Sequence, residues 1–384
     1  MNDIVIAGIG QTPVGEHWDL TLHTQASRAV RAAIKDAGGI KPQAMYIGNF
    51  LASVISHQAN LGALLAEHCG LTGIEAFTVE AAGASGAGAF RMGYLAVASG
   101  FVETAVVVGV EKFTDMVGSV VESAAAQSLD YDYEAVAGAT PASQASLIQA
   151  LYLHETGAKH ADLSGLPLLA HANAVNNPYA AYRKPISQAA YERSEGVTDQ
   201  LNLFDMAAHL DGAAAVVLTR ADRVPAAVTH PLVRVTGSAV AIDTLALHDR
   251  PDPLGFQTVR RTVDRACHQA GILPTDVDLF ELADPFTIYG LLSLEAAGFA
   301  RRGEGWKLAR SGDLALTGKL PVLTLGGLKG RGDPLGATGV YQIVEAALQL
   351  RGEAGANQVK NARRALVQAL GGPASTAVAH VLER

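Results

Sequence analysis

The sequence predicts an α/β protein assembled from two similar halves, and three observations carry that prediction. Short β-branched runs alternate with helical patterns along the whole chain. One unit of helix, glycine stop, proline turn and strand occurs twice, about 235 residues apart, the mark of an internal duplication. Each half then carries a glycine-rich turn that opens a helix.

The first copy of the unit reads Ala33-Ile34-Lys35-Asp36-Ala37-Gly38, followed by Ile40-Lys41-Pro42. The second reads Ala266-Cys267-His268-Gln269-Ala270-Gly271, followed by Ile272-Leu273-Pro274. Gly ends each helix and Pro prevents its continuation. Strands are expected over 4–7, 45–48, 77–80, 105–110, 213–218, 277–281 and 377–381, all short apolar runs suited to burial on both faces. Helical patterns cover 24–37, 86–99, 256–270, 287–298, 338–351 and 361–369. Residues 113–198 have fewer strand signals and more helix, Tyr and Asn, and read as an insertion over the first half that shapes a binding site. The first half with its insertion is assigned to 1–225 and the second to 226–384. The linker falls over 222–232, with Pro225 and Pro231.

Composition narrows the function. The chain has 384 residues, 49% hydrophobic and 17% charged, enough for a large core. A net charge of -8 argues against a nucleic-acid partner, which demands a basic face. Cys69 and Cys267 are too few for a disulfide framework and suggest a reducing compartment. The opening Met1-Asn2-Asp3 lacks the basic region of a signal peptide, and no apolar run is long enough for a membrane. A cytoplasmic location is expected.

A buried strand, a glycine turn and a helix N-terminus in succession favour negative charge, because unpaired N–H groups and the positive helix end converge there. The stretch from Phe77 through Glu80-Ala81-Ala82-Gly83-Ala84-Ser85-Gly86 has this form. A catalytic thiol at its centre would be activated, but the residue there is Gly83. A glycine turn serving tight packing alone fits the same residues. The second turn runs from Leu325-Gly326-Gly327 to Gly339 and is not a phosphate-binding P-loop, because no Gly-Lys-Ser/Thr follows a four-residue gap. Gly8-Ile9-Gly10-Gln11-Thr12-Pro13 fails as a dinucleotide fingerprint, since Pro13 replaces the third glycine.

Several segments, in order along the chain, resemble thiolases. They are Ile9-Gly10-Gln11-Thr12-Pro13-Val14-Gly15, the turn at 80–86, Gly109-Val110-Glu111-Lys112, Gly212-Ala213-Ala214-Ala215, the stretch 325–339 and Gly371-Gly372. His171-Ala172-Asn173 and Asn176-Asn177-Pro178-Tyr179 are similar to the archaeal-type and sterol-carrier-like branch. The resemblance implies a thiolase fold of two duplicated βαβαβαββ halves in a five-layered α-β-α-β-α core, with an inserted loop domain over the site. It also implies a homodimer or higher homo-oligomer, acetyl-CoA acetyltransferase-like Claisen condensation or thiolysis of acyl-CoA, and no cofactor beyond the coenzyme A thioester itself.

Carried over residue by residue, the resemblance puts Gly83 at the cysteine nucleophile position, Ala283 at the oxyanion His/Asn position and Asp333 at the activating-histidine position. The late cysteine of many relatives is not visible at Ala369-Leu370. Ser85 reads as a turn hydroxyl, the two cysteines as packing thiols, and His154, His160 and His171 as loop or packing residues without metal-ligand support. Ligand contacts are expected from backbone at Gly83, Gly327, Gly371 and Gly372, with Arg183 and Lys184 toward coenzyme A phosphates.

The expected function is therefore an acyl-CoA-binding or partner subunit without thiolysis, associated with a complete thiolase paralogue or a small zinc-ribbon/OB-fold protein. The alternative is an active acyltransferase, or a retro-aldolase-type enzyme of C–C bonds on CoA thioesters, with Asp333, Asp284 or Tyr289 as the base.

Overall fold

The computed structural model describes residues 3–384. Its strands are β1 (Ile4–Gln11), β2 (Ala44–Gly48), β3 (Glu75–Val79), β4 (Thr104–Glu111), β5 (Gly212–Arg220), β6 (Val233–Ile242), β7 (Leu279–Glu281), β8 (Arg364–Gly371) and β9 (Thr376–Glu383). They follow the order β3-β2-β4-β5-β1-β6-β9-β8-β7. The order is symmetric about its centre: β1, β5, β4 and β2 on one side answer β6, β9, β8 and β7 on the other. The counterpart of β3 in the second half is reduced to one bridge between Phe280 and Val322. Within the sheet, and among the described residues, the halves are joined by the β1–β6 pairing at Val5–Arg234 and Ile6–Val233.

Period-two alternation distributes the strand side chains between layers. In β4, Val106, Val108 and Val110 pack outward on Ala26, Ala29 and Val30 of the Leu22–Asp36 helix. Ala105 and Val107 face the other way, in one core with Phe90 of the Ser85–Ser99 helix and with Val340, Tyr341 and Val344 of the Thr338–Arg351 helix. The second half reaches that central layer through Val367 and Leu382. Its opposite face sends Ala379 and Val381 against Val259 and Val263 of the Gln257–Ala270 helix. The result is five layers, α-β-α-β-α, as expected. The Thr338–Arg351 helix is buried all round except at Leu348, as a helix between two sheets must be.

The two central helices begin so close together that side chains are excluded. A β-carbon on Gly339 would lie 2.4 Å from the Ala87 nitrogen, and one on Gly86 would lie 2.9 Å from the Gly336 oxygen. The Glu111 carboxylate secures the same seam. It accepts from the Asn49 side-chain amide at 2.8 Å, the Phe50 and Leu51 amides at 3.0 Å and the Gly336 amide at 3.1 Å. Burial nevertheless pushes its carboxyl up to about 7, against the pull of those donors.

Two expectations are corrected. Residues 361–369, expected to be helical, contain most of strand β8. Their Ala, Arg, Leu and Gln are good helix formers, but β7 and β9 hydrogen-bond to them on both sides, and ladder pairing overrides the local preference. Strand β6 was not expected at all, because its alternating Val233-Arg234-Val235-Thr236 is diluted by Gly237, Ser238 and Ala. The 113–198 stretch is largely helical, with helices Ser119–Ala125, Pro141–Thr156, Gly165–Ala174 and Gln188–Glu192. Among the described residues, no helix is long and apolar enough to cross a membrane.

Candidate active site

A cleft of about 670 Å³ opens at the C-terminal ends of β4 and β8 and the N-terminal ends of the two central helices, beneath the insertion. It falls within the usual size range for small-molecule sites. Gly83, Ala283, Asp333 and Gly372 all border it. Gly327, Gly371, Arg183 and Lys184 do not.

Gly83 lies in a 3₁₀ turn, Ala82–Ala84, at the head of the Ser85–Ser99 helix. The strain of the turn is carried by Ala82, a non-glycine residue at φ 49°, while Gly83 is not among the left-handed glycines. The buried Ser85 hydroxyl closes the turn, donating to the Ala82 carbonyl at 2.6 Å and accepting from the Ala81 amide at 2.9 Å. That is the turn role expected for it. Above Gly83 stands the end of β8: a β-carbon built on Gly83 would lie 2.6 Å from the Leu370 carbonyl oxygen.

Asp333 is buried beside the cleft. Its Oδ1 accepts from the Leu335 amide at 2.9 Å and from the Thr338 hydroxyl at 2.6 Å, capping the turn into the second central helix. Its Oδ2 has no hydrogen-bond partner. Facing it at 3.9 Å is Nδ1 of His209, which also has none. A backbone bridge holds the two residues together: the Asp333 amide donates to the Ala208 carbonyl at 2.9 Å, and the Leu210 amide donates to the Asp333 carbonyl at 3.2 Å. Phe113 stacks on the imidazole with ring centroids 5.0 Å apart and planes 9° from parallel.

At the opposite wall the Ala283 amide donates to Gln368 at 3.2 Å, and Ala283 itself offers the cleft no polar side chain. The neighbouring Asp284 is turned into the protein, where it accepts from the Leu328 amide at 2.7 Å. Burial pushes its carboxyl up to about 6, with Lys329 opposing. Gly327 lets that carboxylate approach, since a β-carbon there would lie 2.8 Å from Asp284 Oδ1. Gly327 thus serves packing rather than bordering the cleft.

Lys329 borders the cleft but is itself buried, and its ammonium donates to the Asp205 carbonyl at 2.6 Å. Burial lowers it to about 8, with Asp284, Asp205 and Asp333 acting the other way. His171 also borders the cleft; burial lowers its basicity and the nearby Lys329 charge lowers it further. Tyr289 is a third: its hydroxyl has no partner and burial raises its pKa, so the phenol remains a neutral donor. His160 lies away from the cleft, bonded to the Asp205 carboxylate at 2.5 Å, with Tyr191 donating to the same group at 2.7 Å. This network fixes the turn that holds Lys329. Burial pushes both thiols, Cys69 and Cys267, up to about 11, and neither borders the cleft.

His209 and Lys329 are the residues that reading the sequence overlooked. Lys329 stood inside a recognised motif but without a stated role. The signal for His209 was a histidine three residues ahead of Gly212, at the mouth of strand β5.

This two-half architecture, with its cleft between the starts of the paired helices, is accompanied by matches over almost the whole chain. The family model described as Thiolase, N-terminal domain, matches residues 4–222, and that described as Thiolase C-terminal domain-like matches 239–384. The chain belongs to the thiolase superfamily. It is 39% identical over 386 residues to an acetyl-CoA acetyltransferase of Methanothermobacter thermautotrophicus, covering 100% of both chains. It is 32% identical over 375 residues to the benzoylsuccinyl-CoA thiolase subunit BbsB of Thauera aromatica, covering 96% of this chain and 94% of that one. Among solved structures, the Ltp2-ChsH2(DUF35) aldolase superposes with a TM-score of 0.86 at 26% identity, covering 99% of this chain and 97% of that one.

Proposed function

We propose that this chain binds an acyl-coenzyme A thioester in the cleft and acts on it, or presents it, without forming an acyl-enzyme. The observation that carries the reading is at Gly83. The position the thiolase resemblance gives to the nucleophile has no side chain, and the Leu370 carbonyl oxygen lies 2.6 Å from where its β-carbon would be. Ala283 supplies no oxyanion donor, and Asp333 replaces the activating imidazole with a carboxylate. Three groups that must act together in covalent acyl transfer are thus absent together. Intact-mass spectrometry after incubation with acetyl-CoA tests this. No 42 Da adduct (about one acetyl group) is expected, and a stoichiometric adduct on any residue would overturn the reading.

A second reading, base-dependent cleavage or formation of a C–C bond on a CoA thioester, is favoured by one specific feature. His209 and Asp333 place a histidine and a carboxylate side by side on the cleft wall. The likeness to a solved aldolase supports it. Asp284 is excluded as the base by its inward orientation, and Tyr289 by its neutral phenol; Tyr289 is suited to donate a hydrogen bond instead.

Assembly belongs to the same proposal. Strand β3 is an edge with exposed residues, among them Phe77, which is 61% exposed, and Met92 and Leu95 lie open beside it on the following helix. A second copy of this chain would cover that edge, as unprotected edges otherwise invite promiscuous pairing. A further partner subunit is supported by the names of the Thauera relative, a subunit, and of the two-component aldolase.

A further inference from the structure

We propose that His209 is the base that moves the α-proton of a thioester bound in this cleft, with Asp333 as its positioning residue. The proposal rests on the reading of the cleft as a thioester site, and it assigns the proton transfer to a residue outside the thiolase-like motifs.

Buried polar atoms are nearly always satisfied, so two orphans facing each other require an explanation. Asp333 Oδ2 and His209 Nδ1 are such a pair, 3.9 Å apart, and neither has another partner. The gap is too long for a hydrogen bond but typical of a catalytic pair that tightens when a ligand closes the site. The backbone bridge fixes their register and the Phe113 stack orients the imidazole plane, so a small side-chain rotation is enough to close the gap.

The carboxylate next to Nδ1 selects the tautomer with hydrogen on Nδ1 and leaves the Nε2 lone pair as the basic site. Nε2 has no protein partner and is not among the buried unsatisfied atoms, so it is open to the cleft that His209 borders. Once protonated, the imidazolium faces a carboxylate whose other oxygen is already occupied by Leu335 and Thr338.

The other groups on the cleft are weaker choices. His171 lies near the Lys329 ammonium, which disfavours a second positive charge, and it has no carboxylate facing it. Lys329 is buried and its ammonium is turned to the Asp205 carbonyl, to which it donates. Tyr289 is held neutral by burial.

The step balances without any further reactant. The Cα–H bond of the acyl group breaks, its proton passes to His209 Nε2, and its electron pair moves into the thioester carbonyl to give an enolate. Reversal returns the proton. The enolate is the species that C–C bond formation consumes and retro-aldol cleavage produces.

Acetyl-CoA in deuterium oxide is the probe, with deuterium entry into the acetyl methyl group read by mass spectrometry and binding read by thermal shift. Wild-type protein should bind and should catalyse exchange above the buffer rate. His209→Gln should bind as before and lose exchange on the order of 10²- to 10⁴-fold, the usual contribution of a positioned base. Free imidazole should restore part of the rate to His209→Ala but none to Asp333→Asn, a distinction that a purely structural role would not produce. Asp333→Asn should bind yet exchange slowly. Undiminished exchange in His209→Gln overturns the proposal, as does its loss in His171→Gln alone. Binding without wild-type exchange overturns it while leaving the thioester reading intact. Neither binding nor exchange overturns both.

Discussion

Replacing Gly83 by alanine places a methyl group against the carbonyl oxygen of Leu370. The β-carbon falls 2.6 Å from that oxygen, and ordinary contact begins at 3.4 Å, so the two must part by the difference, 0.8 Å. Neither side moves freely. Leu370 is in register with Ala377 of β9, and the Gly83 turn is closed by the Ser85 hydroxyl. Overfilling a packed site in this way costs about 1–3 kcal/mol. Unfolding entropy of about 2.1 cal/mol/K per residue gives roughly 0.8 kcal/mol/K for a chain of this length unfolding as one unit. The melting temperature should therefore fall by about 1–4 °C, in Gly83→Ala and Gly83→Cys alike, measured by differential scanning calorimetry. The backbone dihedral adds no penalty, since Gly83 is not in the left-handed region. The cysteine variant should react with iodoacetamide yet form no acetyl adduct, because Asp333 and Ala283 supply neither the base nor the donor. Melting temperatures at or above wild type in both variants would refute the steric argument. An acetyl adduct on Gly83→Cys alone would refute the claim that nucleophile, base and oxyanion donor must be present together here.

Further outcomes follow from other parts of the molecule. Burial, then the charge of Glu345, pushes the Glu281 carboxyl up to about 8. A carboxyl raised above its unfolded value stabilises the fold fully below that value and ceases to do so as pH rises through the folded one. Glu281→Gln, which mimics the neutral form, should match wild type only below about pH 4 and gain on it steadily as pH rises from there to about pH 8; parallel curves across that range would refute the assignment. Phe77→Glu should shift a dimer toward monomer in light scattering, and an unchanged mass would place the interface elsewhere. Arg183→Ala combined with Lys184→Ala should weaken coenzyme A binding by about tenfold in calorimetry, the effect of losing one or two phosphate contacts. Unaltered affinity would remove both residues from the phosphate site.

Much of the architecture was legible because the chain repeats itself. The Gly38 and Gly271 helix stops and the two glycine turns recur in order, and the structure places the corresponding elements symmetrically. β8 was misread because Ala365, Leu366, Gln368 and Leu370 satisfy a helical preference that only β7 and β9 override. Part of the site was legible as well: Gly83, Ala283, Asp333 and Gly372 come from distant stretches yet border one cleft. His209 was not, because its meaning depends on a bridge to Asp333 that spans more than a hundred residues of chain. Neither a single residue type nor any local spacing encodes such a partnership.

The interlocked glycines at the start of the central helices also constrain how this chain can change. Gly86 and Gly336 meet there, as do Gly339 and Ala87, backbone against backbone, one from each half. A substitution on either side of that contact forces the other half apart, so each copy of the duplicated unit constrains its twin. The cleft begins just beyond it, where the side chains of Ala283 and His209 border open space and take no part in the contact. A frame locked at its axis and permissive at its rim can lose one chemistry and acquire another without passing through an unfolded sequence.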